Sequence, residues 1–246
     1  MSGELPLVKV NPLQARRFAQ SKGTRAKTDA VDARMLAQMG AALDLVPQLP
    51  MSETMRELKE LQVARQALVK DRTRLLNRIK TQNVGLVVRQ GKARLALIER
   101  QLRDIDADIC RRIEAEKPTA RAFKIIKSIP GLGAVSAAAV LIEFPEIGTL
   151  NRKQVASLAG LAPMTCQSGI WNGHAFIQGG RHHLRGALYM PAIVAMRFNP
   201  DLKAIYNKLR GAGKPAKVAI TALMRKLIEL ANTLVKADRI WMPKGA

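Results

Sequence analysis

Residues 52–80, SETMRELKELQVARQALVKDRTRLLNRIK, decide the fold of this chain. Apolar residues recur in this stretch near heptad spacing, which is typical of a helix that packs along one seam against a second helix. The seam consists of Leu58, Leu61, Leu68, Leu75 and Ile79. The sequence NVGLVVRQGK (83–92) breaks the run, and a second series then follows at steps of three or four residues. The second seam consists of Leu95, Ile98, Leu102, Ile105, Ile109 and Ile113.

Two such helices joined by a short break predict an antiparallel coiled-coil hairpin over residues 51–117. One role for the hairpin is a structural stalk that also forms a dimerisation arm. The other is a clamp on nucleic acid. We favour the stalk and dimerisation arm, because coiled coils self-associate readily. The hairpin therefore predicts a homo-oligomer, a dimer or a tetramer.

The segments on either side of the hairpin differ from it in their sequence pattern. Residues 1–50 open with LPLVKVNP, whose brief alternation predicts one strand from Leu5 to Val10. A helix of about ten residues and the proline-punctuated linker DLVPQLPMS (44–52) follow. Residues 118–246 read as mostly helical. The sequence therefore predicts a mainly α protein with domains at 1–50, 51–117 and 118–246.

The charge balance points to a polyanionic partner. The 246 residues include 41 Lys and Arg against 19 Asp and Glu, a formal net charge of +22. Nucleic acid is the first candidate, since Lys and Arg gain affinity by releasing phosphate counterions. A membrane is not expected, because no apolar run reaches 18 residues. Cys110 and Cys166 form no CxxC pair, which favours a reducing cytoplasm and argues against a metal cluster.

The sequence SIPGLGAVSAAAVLIEF (128–144) is the first candidate contact with phosphate. Its pattern fits a helix-hairpin-helix, in which Gly131 and Gly133 allow a tight turn. The free amides at the start of the following helix could then hold one phosphate. The alternative is a plain helix–helix turn, with alanines present for close packing.

A second candidate is the stretch from Ile147 to Pro200, which contains no acidic residue. A phosphate backbone can approach such a segment without like-charge repulsion. Gly179 and Gly180 precede a helix predicted to begin near Arg181, so Arg181 and Arg185 would lie one turn apart at its N-terminus. Arg152 and Lys153 add to the candidate binding residues. The alternative is a solvated basic face.

Three further residues are candidates for chemistry. Ser168, followed by Gly169, is by itself more typical of a turn than of a nucleophile, although it could attack phosphorus. Asp29 and Asp32 lie at i and i+3 on one face of a helix. Thr28 or Asp29 could cap that helix, with the acids favoured in its first turn. The alternative is that the two aspartates supply half of a Mg²⁺ site, because hard cations take carboxylate oxygens.

In their order, these segments resemble the transposases of the insertion-sequence 110 family. The resemblance rests on KTDAVDA (27–33), the hairpin, IPGLGAVSAAAVLIE (129–143), ASLAGLAPMTCQSG (156–169) and IQGGRHHLRGALYM (177–190). It implies a bridge-RNA-guided recombinase with a RuvC-like DEDD domain, a coiled coil and a serine-bearing C-terminal domain. The partners implied are DNA, a guide RNA and further copies of the chain in a bacterial cytoplasm.

The resemblance also implies individual roles. Asp29 and Asp32 match the two aspartates that close the DEDD tetrad and help to bind Mg²⁺. Ser168 matches the serine that attacks DNA and forms a covalent 5′-phosphoserine link. In the family, two protomers bring each acidic site against the serine of the other.

The sequence departs from the family pattern at its beginning. Only 28 residues precede Asp29, and Glu4 is their sole acid, so the first aspartate and the glutamate of the tetrad have no counterpart. We therefore expect an N-terminally truncated transposase with a remnant α/β domain, inactive by itself. The rival interpretations are a non-enzymatic protein that binds DNA or RNA and an architectural coiled-coil dimer.

Overall fold

The computed structural model describes residues 8–23, 28–45, 51–165, 167–168 and 171–243. The chain divides into two compact units, Met1–Ser52 and Glu53–Ala246. Within the described ranges lie ten helices and four strands of two residues each, which confirms the predicted mainly α class. None of the described helices combines the length and the apolar composition that a membrane crossing requires.

The first unit contains α1 (Pro12–Ser21) and α2 (Asp29–Ala42). Each helix begins at a capping residue: the side chain of Asn11 accepts a hydrogen bond from Leu13 N, and that of Thr28 accepts one from Val31 N. The strand predicted for Leu5 to Val10 lies partly outside the described residues, and Val8 to Val10 form no strand.

The second unit begins with two long helices, α3 (Glu53–Lys80) and α4 (Gly85–Ala115). The break predicted over residues 83–92 is wrong in extent, because α4 already begins at Gly85. The helices run antiparallel. Arg65 Nε lies 2.5 Å from Asp106 Oδ1, and Arg72 Nη2 lies 3.2 Å from Glu99 Oε1, so residues further along α3 meet residues further back along α4.

The predicted heptad positions form the less exposed side of this hairpin. Leu58, Leu75, Ile109 and Ile113 are buried, and the remaining members of the two seams are half-buried. Near the turn Gly91 is buried against Ile79, where an added Cβ would lie 2.8 Å from Ile79 Cγ1. The helical hairpin therefore forms along the predicted seams, whereas knobs-into-holes packing stays a prediction.

The helical body follows the hairpin. Its helices are α5 (Lys117–Lys127), α6 (Ala134–Glu143), α7 (Arg152–Leu158), α8 (His182–Phe198), α9 (Pro200–Gly211) and α10 (Ala216–Lys236). Between α7 and α8 lie β1 (Pro163–Met164), β2 (Gln167–Ser168), β3 (Trp171–Asn172) and β4 (Phe176–Ile177).

The core of the body is built around α6, whose residues Ala137–Ile142 are all buried. Small side chains on α6 and on α8 allow the two helices to lie close together. The base of the hairpin joins the same core through Leu58, Ile109 and Ile113. Because this base shares its apolar contacts with the body, the hairpin and the body form one compact unit.

Candidate nucleic-acid and catalytic sites

Ser168 lies near the end of a β-ribbon that connects α7 to α8. In the first ladder, Pro163 and Met164 of β1 pair antiparallel with Ile177 and Phe176 of β4. Further along, β2 pairs with β3, and Ser168 lies opposite Trp171. Ser168 is exposed. Within the described residues, no side-chain hydrogen bond joins it to a histidine or to a carboxylate.

The base of this ribbon is held by backbone contacts and one arginine. Arg181 N donates to Leu158 O at 2.8 Å, which ties the start of α8 to the end of α7. Arg185 Nη1 donates to Gly179 O at 3.0 Å and to Gly160 O at 3.3 Å. Gly180 has φ +66° and lies against the backbone of Gly160, which leaves no room for a side chain. Arg185 and this glycine contact fix where the ribbon leaves the body.

The predicted helix-hairpin-helix corresponds to α5, the turn at residues 128–133 and α6. Its two glycines have different surroundings. Gly131 has φ +108°, and a Cβ there would lie 2.7 Å from both Ala195 Cβ and Pro191 O, so this residue packs against α8. Gly133 is exposed at the N-cap of α6, with nothing within 4 Å of an added Cβ. Of the two glycines, Gly133 has the room to admit a phosphate.

Two arginines of the acid-free stretch, Arg152 and Arg181, have carboxylate partners from outside that stretch. Arg181 donates to both oxygens of Glu146, at 2.7 and 2.6 Å, and to Glu143 O at 2.9 Å. This hydrogen bonding holds the pKa of Glu146 below its ordinary value. Arg181 is thus ion-paired and Arg185 binds the ribbon carbonyls, and the anion site expected at these two residues stays a prediction. Lys153 is exposed.

A cluster around Glu229 on α10 was missed by the sequence analysis. Glu229 is buried, and three cations surround it: Arg152 at 3.0 Å, Lys226 at 3.4 Å and Arg225 at 3.7 Å. Since one carboxylate neutralises only one charge, the cluster keeps a surplus of positive charge. The spacing of Arg225 and Lys226 before Glu229, at i+4 and i+3, was the available signal. The pairing with Arg152 had none, because 77 residues separate the partners.

The two candidate aspartates, Asp29 and Asp32, lie in the first turn of α2. Asp29 is exposed and Asp32 is half-buried. Acidic side chains in the first turn stabilise a helix through its dipole. The two carboxylates also lie about one turn apart on the same face of the helix. Among the described residues, no group of three or more metal-ligating side chains comes together. The pair fits a hard cation as part of a site and does not complete one.

Two family profiles match the chain on either side of the hairpin turn. The profile of the DEDD domain of IS110 transposases matches residues 2–83, which include Asp29 and Asp32. The profile of the IS116/IS110/IS902 transposase family matches residues 123–207, which include Ser168. The chain belongs to the IS110 family of transposases. The recognition made from sequence is thereby confirmed at the level of the family.

Several proteins are similar to this one over much of the chain. A pilin gene-inverting protein of Moraxella bovis is 28% identical over 235 residues, covering 94% of this chain and 72% of that protein. An insertion element IS110 protein of 43.6 kDa from Streptomyces coelicolor is 29% identical over 172 residues, 67% of this chain and 41% of that protein. An insertion element IS116 protein of 44.8 kDa from Streptomyces clavuligerus is 26% identical, covering 88% of this chain and 73% of that protein.

Membership in the family bears on the acidic pair. The DEDD domain indicates dependence on a divalent metal at the level of the family. In this chain Asp29 and Asp32 would hold such an ion, which when bound stabilises charge that develops on phosphate oxygens. Neither residue has an ion pair within the part of the chain that the structure describes.

Proposed function

We propose that the chain belongs to the cutting and rejoining machinery of an insertion-sequence transposase on DNA, acting within an assembly of protomers and with Ser168 as the nucleophile. The observation that carries the proposal is the place of Ser168. It is exposed near the end of a ribbon whose base is fixed by Arg185, so the hydroxyl can reach a phosphate that lies outside the body. The family membership supplies DNA as the substrate class.

In the proposed step, Oγ of Ser168 forms a bond to a DNA phosphorus atom and the bond from phosphorus to the 3′ oxygen breaks. The serine proton leaves Oγ, and the departing 3′ oxygen takes up a proton from solvent or a nearby group. The product carries a 5′-phosphoserine link and a free 3′ hydroxyl. Because one phosphodiester replaces another, the step is nearly balanced in free energy and the same serine can be displaced when DNA is rejoined.

The acidic pair has the second role in the proposal. Asp29 and Asp32 would supply carboxylate oxygens to Mg²⁺, which requires near-octahedral coordination by about six oxygens. Two carboxylates hold such an ion loosely. In the proposed assembly, the acids of one protomer serve the serine of another, and a guide RNA selects the DNA. We therefore expect the isolated chain to form little or no covalent adduct with DNA.

A covalent-adduct assay tests the nucleophile. DNA labelled at its 3′ end is incubated with the chain and Mg²⁺, alone and after fusion to a segment that carries the family's opening aspartate and its glutamate. The fusion should form an adduct that survives denaturing electrophoresis, and Ser168→Ala should abolish it. Ser157→Ala is the control, because Ser157 is also exposed and lies outside the ribbon. An adduct that persists in Ser168→Ala would refute the role of the serine.

The alternative is a protein that binds DNA or RNA without cutting it. The observation in its favour is that no third carboxylate joins Asp29 and Asp32 among the described residues. A labelled duplex and a structured RNA, titrated at several salt concentrations, should both show affinity that falls steeply with salt. Salt-dependent binding with no adduct from the fused chain would favour this alternative.

A further inference from the structure

The positive charge of the helical hairpin is concentrated at one end. Residues 72–98, which form the tip, contain seven Lys and Arg and no acid. Residues 53–71 and 99–115, which form the base, contain eight Lys and Arg and nine Asp and Glu. The base is therefore close to neutral and the tip is strongly positive, although both belong to the same pair of helices.

Most tip cations lie free on the surface. Arg72 pairs with Glu99, and Arg74 lies 3.6 Å from Asp71, both acids being at the boundary with the base. The other five have no ion pair within the described part of the chain, and all are exposed. They are Arg78, Lys80, Arg89, Lys92 and Arg94. The contact of Gly91 with Ile79 holds α3 and α4 together here, so the cations of both helices lie at the same end of the hairpin.

The outer end of the tip lies beyond the contacts of the hairpin with the body. The hairpin residues that belong to the core lie in the base, and among the described residues Gln66 Nε2 makes the last side-chain hydrogen bond from α3 to the body, at 3.3 Å from Glu143 Oε1. Further along α3, Lys70 and Arg74 still line a cleft together with His183 of α8. From Arg74 to Lys80 the helix rises about 9 Å at 1.5 Å per residue. The tip is thus an arm whose charges are not needed to fold the body.

The charge pattern decides among the partners that such an arm could meet. Two tips would repel each other, so the tip is not suited to pair with the tip of a second copy. The exposed tip cations without ion pairs in the described residues favour a polyanion as the partner. DNA is the polyanion on which the family acts. The exposed Val84 (63%) and Leu86 (53%) lie at the turn, between the cations of the two helices.

We infer that the hairpin tip is a second DNA-binding surface, which holds the phosphate backbone of a duplex beyond the cleft that α3 forms with His183 of the body. The α4 side of the tip, residues 84–98, lies outside the two ranges that the family profiles match, 2–83 and 123–207. The inference rests on the proposed action on DNA. It adds that the hairpin acts as a DNA-binding arm as well as a stalk.

Two variants of equal charge test the inference on the full chain. The tip variant replaces four exposed cations by glutamine, namely Arg78, Lys80, Arg89 and Lys92. The base variant replaces four exposed cations that have no ion pair in the described residues, namely Arg56, Lys70, Arg100 and Arg103. Both lose the same net charge, and glutamine keeps the helix propensity of both close to that of the wild type. Circular dichroism verifies that the helices are intact.

Affinity for a labelled duplex is then measured from low to high salt. Loss of even two phosphate contacts at 0.1 M salt should weaken binding by about 60-fold and reduce the slope of log affinity against log salt by about 1.8. The tip variant should show this loss and the base variant only a small one. Structured RNA and anionic vesicles are the comparison ligands.

The outcomes separate the inference from the proposed function. If the wild type does not bind the duplex at low salt, the proposed action on DNA fails. If the wild type binds and both variants weaken equally, net charge explains the effect and the tip inference is overturned. A loss that appears with RNA or vesicles but not with the duplex overturns it as well.

Discussion

Gly131→Ala should destabilise the body because the new methyl group meets the backbone of α8. The Cβ would lie 2.7 Å from Pro191 O and 2.9 Å from Ala195 N, and neither backbone atom can move without shifting the helix. Overpacking of this kind costs about 1–3 kcal/mol. The backbone at φ +108° adds about 1–3 kcal/mol for a residue with a side chain. The free energy of unfolding should therefore fall by about 2–6 kcal/mol, a large part of the total for an ordinary domain.

Thermal unfolding followed by circular dichroism measures this loss. For a chain of this size each kcal/mol corresponds to about 2–4 °C, so Tm should fall by at least about 4 °C. Gly186→Ala is the matched control, because Gly186 lies within α8 and an added Cβ has nothing within 4 Å. That control should gain about 0.5–1 kcal/mol from reduced backbone entropy in the unfolded chain. A Gly131→Ala protein that melts within 2 °C of the wild type, roughly the uncertainty of the conversion, would refute the close approach of the turn to α8.

Three further outcomes are expected. Glu146→Gln should flatten the fall in Tm below about pH 4.5. The pKa of Glu146 is lowered from its ordinary value of 4.5, so its pairing with Arg181 stabilises the fold above that pH and is lost as pH falls. An unchanged acid profile would contradict this. Gly180→Ala should lower Tm well below that of Gly179→Ala, which has the same sign of φ but open space around it; equal melting would count against the glycine contact. Leu58→Ala should cost about 2–5 kcal/mol in a urea titration, and a cost below 1 kcal/mol would place Leu58 outside the core.

The hairpin shows which features of the fold a local sequence pattern can predict. The two seams could be predicted because each heptad position repeats within one helix, and the buried Leu58 and Ile113 confirm the periodicity. The length of the break could not, because Val87, Val88 and Gly91 have low helix propensity. Packing outweighs that propensity here, since the missing side chain of Gly91 lets α4 lie against Ile79. The strand predicted from Leu5 to Val10 does not form over its described part, Val8 to Val10, for a related reason: local alternation does not supply a partner strand.

The candidate site shows which contacts a local sequence pattern cannot predict. The acid-free stretch was expected to admit phosphate without like-charge repulsion, but two acids outside it lie beside its arginines. Glu146, one residue before the stretch, pairs with Arg181, and Glu229, far beyond it in sequence, pairs with Arg152. The capping of α2 by Thr28 was readable, because it depends on neighbours in sequence. The ribbon that carries Ser168 was not, since its ladders are two residues long and depend on contacts between Gly160 and Gly180.

The cations around Glu229 are ordered before any ligand arrives. A free surface arginine or lysine loses up to about 2 kcal/mol of rotamer entropy when a phosphate immobilises it. Arg152, Arg225 and Lys226 already share one buried carboxylate, so part of that ordering is complete in the folded chain. An anion that binds to this cluster would contact cations whose side chains are already ordered. Its binding would therefore cost less conformational entropy than binding to free surface cations.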